Sequence, residues 1–195
     1  MLNILHDIEI FVLSLLLRNH ARWKSMLINY NPPTVERLWT QFGKYRVNLH
    51  RINLCKREDA LFHPHPWPSA VRILSGSYKM DIGYGKGEKE PPVASTLIMA
   101  EGSAYEMIDP DGWHRIYPVC GSSISLMVTG SPWARSSPGK GRSFPKLGNT
   151  EQLEILGFFL NYYPRVDVDL QKQKSLLEYV ADKLGMSVED LQRAL

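Results

Sequence analysis

The sequence predicts an all-β domain, a sandwich or a barrel, with α-helical extensions at both ends. Residues 45–130 hold several short segments rich in Val, Ile, Leu, Tyr and Ser at near-regular spacing, separated by Gly, Pro and Asp. No periodic segment of helical length interrupts them, which argues against an alternating α/β sheet. Apolar residues at helical spacing lie before residue 44 and after residue 150.

The composition indicates one ordinary globular domain. The chain has 195 residues, of which 44% are hydrophobic and 22% are charged, which rules out a disordered, collagen-like or coiled-coil chain. Its net charge of +3 is too small to indicate nucleic acid without a concentrated basic patch. We therefore expect no nucleic-acid partner.

The cysteines and the apolar N-terminal run indicate in which compartment the protein is expected. Cys55 and Cys120 form neither a disulfide framework nor a paired-thiolate zinc site, so a reducing cytoplasm is expected. The apolar run at residues 11–17 is shorter than the roughly 20 residues that a membrane span needs. No small-residue cleavage site follows it. We interpret it as the buried face of a helix and expect neither a signal peptide nor a membrane partner.

Residues 1–44 are predicted to form an N-terminal helical extension. Apolar residues recur at helical spacing from Ile4 to Leu16, and Asn31-Pro-Pro33 breaks the pattern. Thr34 is then predicted to cap a second short helix that ends at Gly43.

The predicted barrel covers residues 45–133. Its candidate strands are 45–54, 60–65, 69–84, 93–99, 103–108, 113–119 and 123–129. A loop rich in Gly, Ser, Pro and basic residues follows at 134–150. Residues 151–195 are predicted as a C-terminal helical extension, with a stop at Gly185 and a cap at Ser187.

Three of the six histidines fall in an arrangement that suits a metal ion. His63 and His65 lie two residues apart, and such residues on an extended strand face the same side. Prolines around the pair place it at a strand entrance or barrel rim. His114 opens a strand just after a tight turn at residues 109–112. Imidazole is a common ligand of transition metals, so these residues could complete a facial triad.

In these residues the chain resembles the cupins, small β-barrels whose metal is held by two motifs. The first motif is, in outline, His-x-His, three or four residues, Glu, six residues, Gly. Here it runs from His63 to Gly76, with Ser69 in the slot of the glutamate ligand. The second motif is similar to Pro-x-Gly-x-x-His, and Pro110-Asp-Gly-Trp-His114 is one residue shorter.

The resemblance covers roughly residues 45–133 and implies a cupin-type double-stranded β-helix, that is, a jelly-roll barrel. The stretch His-x-His-Pro-Trp followed by Ser-Gly-x-Tyr also resembles a group of uncharacterised bacterial cupins. The resemblance implies His63, His65 and His114 as metal ligands without a glutamate, a set similar to that of the three-histidine thiol dioxygenases. It implies a divalent transition metal, Fe(II) first and Zn, Ni or Mn as alternatives, and a homodimer, because cupins commonly pair their barrels.

Several further residues have candidate roles. Tyr105 is the candidate catalytic residue, because it precedes the turn that delivers His114. His50 is either an ordinary strand histidine or a residue that orients a ligand or contacts substrate. Arg72 is out of phase with His65 and is expected to face covering helices or a partner subunit.

Acidic and aromatic residues near the motifs leave alternatives open. Glu106, Asp109 and Asp111 offer a fourth oxygen ligand, although aspartates in such turns usually cap the backbone. Three tryptophans are expected to pack at the barrel mouth or to wall an apolar substrate pocket, namely Trp67, Trp113 and Trp133.

The sequence leads to three functional hypotheses. The first is a metal-dependent oxygenase of the dioxygenase type that acts on a small molecule. The second is a non-catalytic cupin that binds a small ligand or a sugar as a sensor or assembly module. The third is an isomerase or lyase at a zinc or manganese site, with Tyr105 or Glu106 as the proton carrier.

Overall fold

The computed structural model describes residues 1–87, 89–134, 138–163 and 170–194, and of residues 170–176 and 194 only the backbone. Parts of the predicted loop at 134–150 and of the predicted C-terminal extension, namely residues 135–137, 164–169 and 195, therefore lie outside the described residues. Within the described ranges, no helix is both long and apolar enough to cross a membrane.

The described residues form ten β-strands in two antiparallel sheets. The strands are β1 Lys24–Ile28, β2 Val35–Phe42, β3 Tyr45–Ile52, β4 His63–Pro64, β5 Ser69–Ser75, β6 Ser77–Tyr84, β7 Ser95–Ala100, β8 Ala104–Met107, β9 Gly112–Pro118 and β10 Ser123–Thr129. The larger sheet has the order β1-β2-β3-β10-β5-β8 and the smaller sheet the order β4-β9-β6-β7.

Strands β3 to β10 make a jelly roll. Four of them, β3-β10-β5-β8, belong to the larger sheet, and the other four, β4-β9-β6-β7, form the smaller one. From β3 onward, successive strands alternate between the two sheets except for β6 and β7, which form a hairpin within the smaller sheet, in the manner of two Greek keys. The predicted all-β, cupin-type fold with helical termini is confirmed.

Two predicted strands differ in extent from the observed ones. The predicted strand at 69–84 is divided into β5 and β6 at Gly76, whose φ is +74°. A Cβ at Gly76 would lie 2.7 Å from the carbonyl oxygen of Ser122, so only glycine fits this turn. The predicted strand at 60–65 shortens to β4. On one side Ala60 N–H bonds to the Arg57 carbonyl oxygen in a turn and Leu61 N–H to that of Pro32, and on the other side Pro66 lacks the N–H that a ladder needs.

The helical prediction for residues 34–43 is wrong. Helices α1 Leu2–Asp7 and α2 Leu13–Leu16, joined by a π-helical turn at Ile8–Val12, lie where the spacing places them. Residues 35–42 instead form β2, which pairs with β1 on one side and β3 on the other. The larger sheet therefore begins at Lys24, before the predicted boundary at residue 45.

The larger sheet is buried on both faces. Along β5, Ala70 and Leu74 face outward and Val71 and Ile73 face the barrel interior, as the two-residue period of a strand requires. Helices cover the outer face, namely α1, α2, α3 Asn149–Tyr162, α4 Leu170–Leu184 and α5 Val188–Ala194. The interior face lines the barrel and its cavity.

An ion pair also holds the N-terminal helical segment against the outward face of β5. Arg72 Nε donates to Glu9 Oε2 at 2.7 Å, and Tyr163 donates its hydroxyl proton to Glu9 Oε1. The expectation that Arg72 faces covering helices is confirmed. At the C-terminus, Gly185 ends α4 at φ +63° and Ser187 Oγ accepts from Asp190 N–H at 3.0 Å, as predicted.

A buried carboxylate ties the smaller sheet together. Asp81 on β6 is fully buried and accepts from Arg115 Nε on β9 at 2.6 Å, Arg57 Nε at 2.9 Å and Thr96 Oγ1 on β7 at 2.6 Å. Burial by itself raises the pKa of Asp81, but the bonds from Thr96, Arg115 and Arg57 outweigh it and the pKa is lowered. This carboxylate therefore joins three strands and the loop before β4.

We expect Asp81→Asn to destabilise the fold by about 2–4 kcal/mol, because two arginines lose their counter-charge. The lowered pKa adds stability above the ordinary carboxyl pKa of about 4, and this stability is lost as the pH falls through the folded-state value. Urea unfolding between neutral and acid pH tests both points. Asp182→Asn, at an exposed helix position, is the matched control. Equal acid sensitivity of wild type and Asp81→Asn would contradict the assignment.

Candidate metal centre

The three candidate histidines converge. His63 on β4 lies directly opposite His114 on β9 in the antiparallel ladder, and His65 follows β4 by one residue. The potential ligand atoms of the three imidazoles all lie within 4.8 Å of one another. The ring centroids of His65 and His114 are 4.3 Å apart, and those of His63 and His114 are 4.8 Å apart.

Hydrogen bonds orient two of the three rings. His63 Nδ1–H donates to the Leu61 carbonyl oxygen at 3.0 Å, which leaves the Nε2 lone pair for another partner. His65 Nδ1 lies 3.1 Å from Ser69 Oγ. With respect to the described residues, His114 Nδ1 is buried without a hydrogen-bond partner.

The electrostatics keep the three rings neutral. Burial lowers the pKa of all three imidazoles, that of His65 to about 3 and that of His114 well below its ordinary value. Neighbouring groups also act on these pKa values: His63 and Arg37 lower that of His65, and the other two histidines lower that of His114. For His63, the hydrogen bond to Leu61 raises the pKa and the charge of Arg37 lowers it, and burial outweighs both. Neutral imidazoles offer lone pairs at physiological pH.

This donor set fits a divalent transition metal. Three neutral nitrogen donors suit zinc, iron, copper or nickel, whereas magnesium and calcium prefer oxygen. The unpartnered Nδ1 of His114 also indicates a group that the protein part of the site lacks. A facial set of three ligands leaves coordination positions for small molecules.

Ser69 takes the place of the glutamate in the cupin motif and has a different function. It is fully buried at the start of β5, and its hydroxyl group contacts His65 rather than the shared centre of the three rings. A serine side chain is too short to reach further. Ser69 therefore fixes the orientation of His65, and the three histidines are the cluster found among the described residues.

The histidines line a cavity of about 480 Å³, a size typical of small-molecule sites. Its walls come from strands β1 to β6 and β8 to β10 and from the proline-rich loops. Most of the lining is apolar, and includes Ile28, Val35, Ile52, Trp67, Val71, Ile116 and Met127. The cavity thus places an apolar compartment next to the three imidazoles.

Tyr105 lies in this cavity. It accepts a hydrogen bond from the hydroxyl of Tyr78 at 2.9 Å, and both side chains line the wall. Burial raises the pKa of Tyr105 to about 12, although the hydrogen bond from Tyr78 acts in the opposite direction. Tyr105 is therefore a neutral phenol that retains its own proton for donation. Its predicted catalytic role remains a prediction.

The other candidates lie in different settings. Glu106 Oε2 accepts from the Leu2 N–H at 2.8 Å, and Asp109 Oδ1 accepts from the Asp111 N–H at 2.8 Å within its turn. Neither belongs to the histidine cluster, and Asp109 caps the backbone as such turns usually require.

The three tryptophans divide between the cavity and its surroundings. Trp67 lines the cavity. Trp113 is buried, and its ring packs against Phe62 at 5.8 Å between centroids. The backbone N–H of Trp133 donates to the Pro66 carbonyl oxygen at 2.8 Å, which fixes the loop that follows His65.

The candidate residue His50 lies in the cavity beside Arg37, which is not among the predicted site residues. His50 accepts at Nε2 from Arg37 Nε at 2.8 Å, and both line the cavity. The pattern of residues 34–43 predicts a helix, and for that reason it does not indicate Arg37 as a cavity residue. Alternation along β2 could have found it, since Val35 and Arg37 share a face opposite to Leu38.

No protein-family profile and no curated protein sequence matches this chain. Solved structures similar to it include Fe(II) HppE, with 14% identity over 49% of this chain and 50% of that chain and a TM-score of 0.40. Hydroxypropylphosphonic acid epoxidase from S. wedmorenis has 12% identity over 54% and 55%, with a TM-score of 0.42. Fe(II) HppE in complex with substrate has 13% identity over 56% and 57%, with a TM-score of 0.44.

The chain spans about half the length of these similar structures. The fold assignment rests on its own strand order. That order and the histidine cluster define a cupin-like β-barrel with three neutral imidazoles at an apolar cavity.

We expect Ser69→Ala to weaken the binding of Zn²⁺ or Fe²⁺ by about 10-fold, because partners that orient a ligating histidine typically contribute 10- to 100-fold to metal affinity. Competition with a chromophoric chelator measures this. Ser123→Ala is the matched control: Ser123 is an equally buried strand serine, and its hydroxyl makes no hydrogen bond within the described residues. Equal loss of affinity in both variants would show that Ser69 has no specific part in the site.

Proposed function

We propose that the protein is a metal-dependent oxygenase that acts on a small organic molecule. The observation that carries this proposal is the convergence of three neutral imidazoles at the wall of a 480 Å³ apolar cavity. Such a site holds a redox-active cation on one side and an organic molecule on the other.

His63, His65 and His114 would hold the metal. A ferrous ion bound there would supply the oxidative chemistry that the twenty amino acids lack. The protein's part is to orient the three rings, through Leu61 and Ser69 for two of them, and to keep them neutral by burial. Fe(II) is the ion that we propose, with Zn, Ni and Mn as the alternatives that elemental analysis would separate.

The cavity walls would bind the substrate and exclude water. Ile116, Val71 and Met127 offer apolar contacts beside the histidines, and removal of water strengthens every polar interaction in the site. Tyr105, a neutral phenol with Tyr78 as its donor, would donate a proton to an oxygen of the substrate or product.

We also propose a family, a location and an assembly for the chain. The chain belongs with the bacterial cupins that share its His-x-His-Pro-Trp motif. It is located in the cytoplasm, in keeping with its two free cysteines. It forms a homodimer, and size-exclusion chromatography with light scattering tests this assembly.

We expect protein purified without a histidine tag to contain about one transition-metal ion per chain, or to bind one added Fe(II) anaerobically. His65→Ala removes a ligand and should abolish stoichiometric binding, whereas His20→Ala, at an exposed position in the N-terminal region, should not. Elemental analysis measures the content. Wild-type protein that holds no Fe(II), Zn(II) or Ni(II) under these conditions would end the proposal.

Oxygen dependence separates the oxygenase from the isomerase or lyase. An oxygenase consumes dioxygen in proportion to product, whereas isomerisation or elimination proceeds equally well under argon. An oxygen electrode with candidate substrates, run beside anaerobic assays, distinguishes them. Substrate turnover at full rate without oxygen would contradict the oxygenase assignment and leave the metal site intact.

We expect Tyr105→Phe to lower kcat by about 100-fold, the lower end of the range for general acid–base catalysis, with metal content unchanged. Tyr84→Phe, at a position 59% exposed, is the control and should leave kcat unchanged. Steady-state kinetics on the substrate found by oxygen uptake measure the effect. A kcat for Tyr105→Phe equal to that of wild type would remove Tyr105 from the mechanism.

A further inference from the structure

The cavity beside the histidines contains an arginine without an acidic partner. Arg37 lies on β2 and lines the cavity. Its Nε–H donates to His50 Nε2 at 2.8 Å. In the described part of the chain no carboxylate lies within ion-pair distance of Arg37, whereas Arg51, Arg57, Arg72 and Arg115 each have one.

The lining of the cavity is cationic as well as apolar. Arg37, Arg46 and Lys140 contribute to it, and none of the described lining residues is Asp or Glu. Burial, together with the neighbouring charge of Arg46, lowers the pKa of Arg37 to about 10, although Tyr30 acts in the opposite direction. Arg37 is therefore still protonated at neutral pH. A guanidinium partly withdrawn from water is stabilised by a counter-charge.

The contact with His50 sets the direction of the guanidinium group. Because His50 Nε2 accepts from Arg37, His50 is the neutral Nδ1–H tautomer. Burial and the charge of Arg37 hold the pKa of His50 well below its ordinary value. With Nε engaged, the two terminal nitrogens of Arg37 remain. These form the fork that binds a carboxylate through two parallel hydrogen bonds.

We infer that the substrate is a small organic acid whose carboxylate binds end-on to the Arg37 fork while its apolar body lies along the cavity wall toward the three histidines. That the bound acid is the substrate rests on the proposed function. His50 is a positioning residue in this arrangement, since it acts through Arg37.

The location of Arg37 supports this assignment. In the antiparallel register Arg37 is opposite His50, and His50 is opposite Ser125 on β10. Ser125 lines the same cavity, and its hydroxyl is buried without a partner among the described residues. A row of polar side chains thus crosses the inner face of the larger sheet, facing an otherwise apolar compartment. A ligand with one anionic end and one apolar body matches both parts.

The experiment measures binding of matched pairs that differ only in charge. Phenylacetate is compared with phenylacetamide, and hexanoate with hexanamide, by calorimetry on metal-free and on Zn-loaded protein. We expect each acid to bind the metal-free protein at least about 10-fold more tightly than its amide, because hydrogen bonds to charged groups are the stronger ones. Arg37→Gln should remove this preference. Arg37→Lys, which keeps the charge and loses the fork, should retain part of it.

Arg193→Gln is the matched control, because it removes the same charge from a side chain 77% exposed on α5. Thermal unfolding and metal binding of each variant verify that the fold and the histidine site are intact. Acids that bind no better than amides, that do not bind metal-free protein at all, or that bind Arg37→Gln as well as Arg193→Gln would overturn the inference. Failure of the proposed function is a separate result, since it shows in metal binding by the wild type.

Discussion

The site depends on the pairing of a two-residue strand, β4, with β9. This ladder places His63 directly opposite His114. His65 is the first residue after β4, and its ring reaches the same point. Prolines on both sides keep the segment extended and prevent it from pairing further. The ladder thus fixes the backbone positions from which His63 and His114 extend, and hydrogen bonds with Leu61 and Ser69 orient the rings of His63 and His65. A preorganised centre requires both.

The two faces of the larger sheet differ in what they contribute. The outer face packs against the helices, and the inner face lines the cavity of the candidate site. Its outer face packs against the helices with a cluster of apolar side chains and the Arg72–Glu9 ion pair. Its inner face holds buried polar groups, among them His50 and Ser125, that would be costly in an ordinary core. Such groups are retained where they act on a ligand. The N-terminal strands add Arg37 to this inner face, so a segment outside the eight-stranded jelly roll contributes to the cavity.

Strand β2 shows why a local sequence pattern can predict the wrong kind of element. In residues 34–43 a cap residue, acidic and basic residues in the first turn and a terminal glycine fit a helix, but Val35, Trp39 and Thr40 also favour a strand. Short apolar segments are ambiguous between the two periods. The free edge of β3 decided the outcome, because eight residue pairs in register supply the hydrogen bonds that β2 would otherwise lack. That edge exists only in the folded sheet, so the local sequence of residues 34–43 does not indicate it.

By itself the sequence determined the fold class and the three candidate histidines, because motif spacing, turn glycines and period-two alternation are local properties of the chain. Its resemblance to the cupins implied that Ser69 stands in the slot of a glutamate ligand. The tertiary structure decided what these residues do together. It turned Ser69 toward His65, placed Tyr105 against Tyr78, and placed Arg37, which has no carboxylate partner among the described residues, in the cavity that the three imidazoles line. These relations join residues far apart in the chain, and their energies come from burial and from the choice of neighbours. Local sequence carries no record of either.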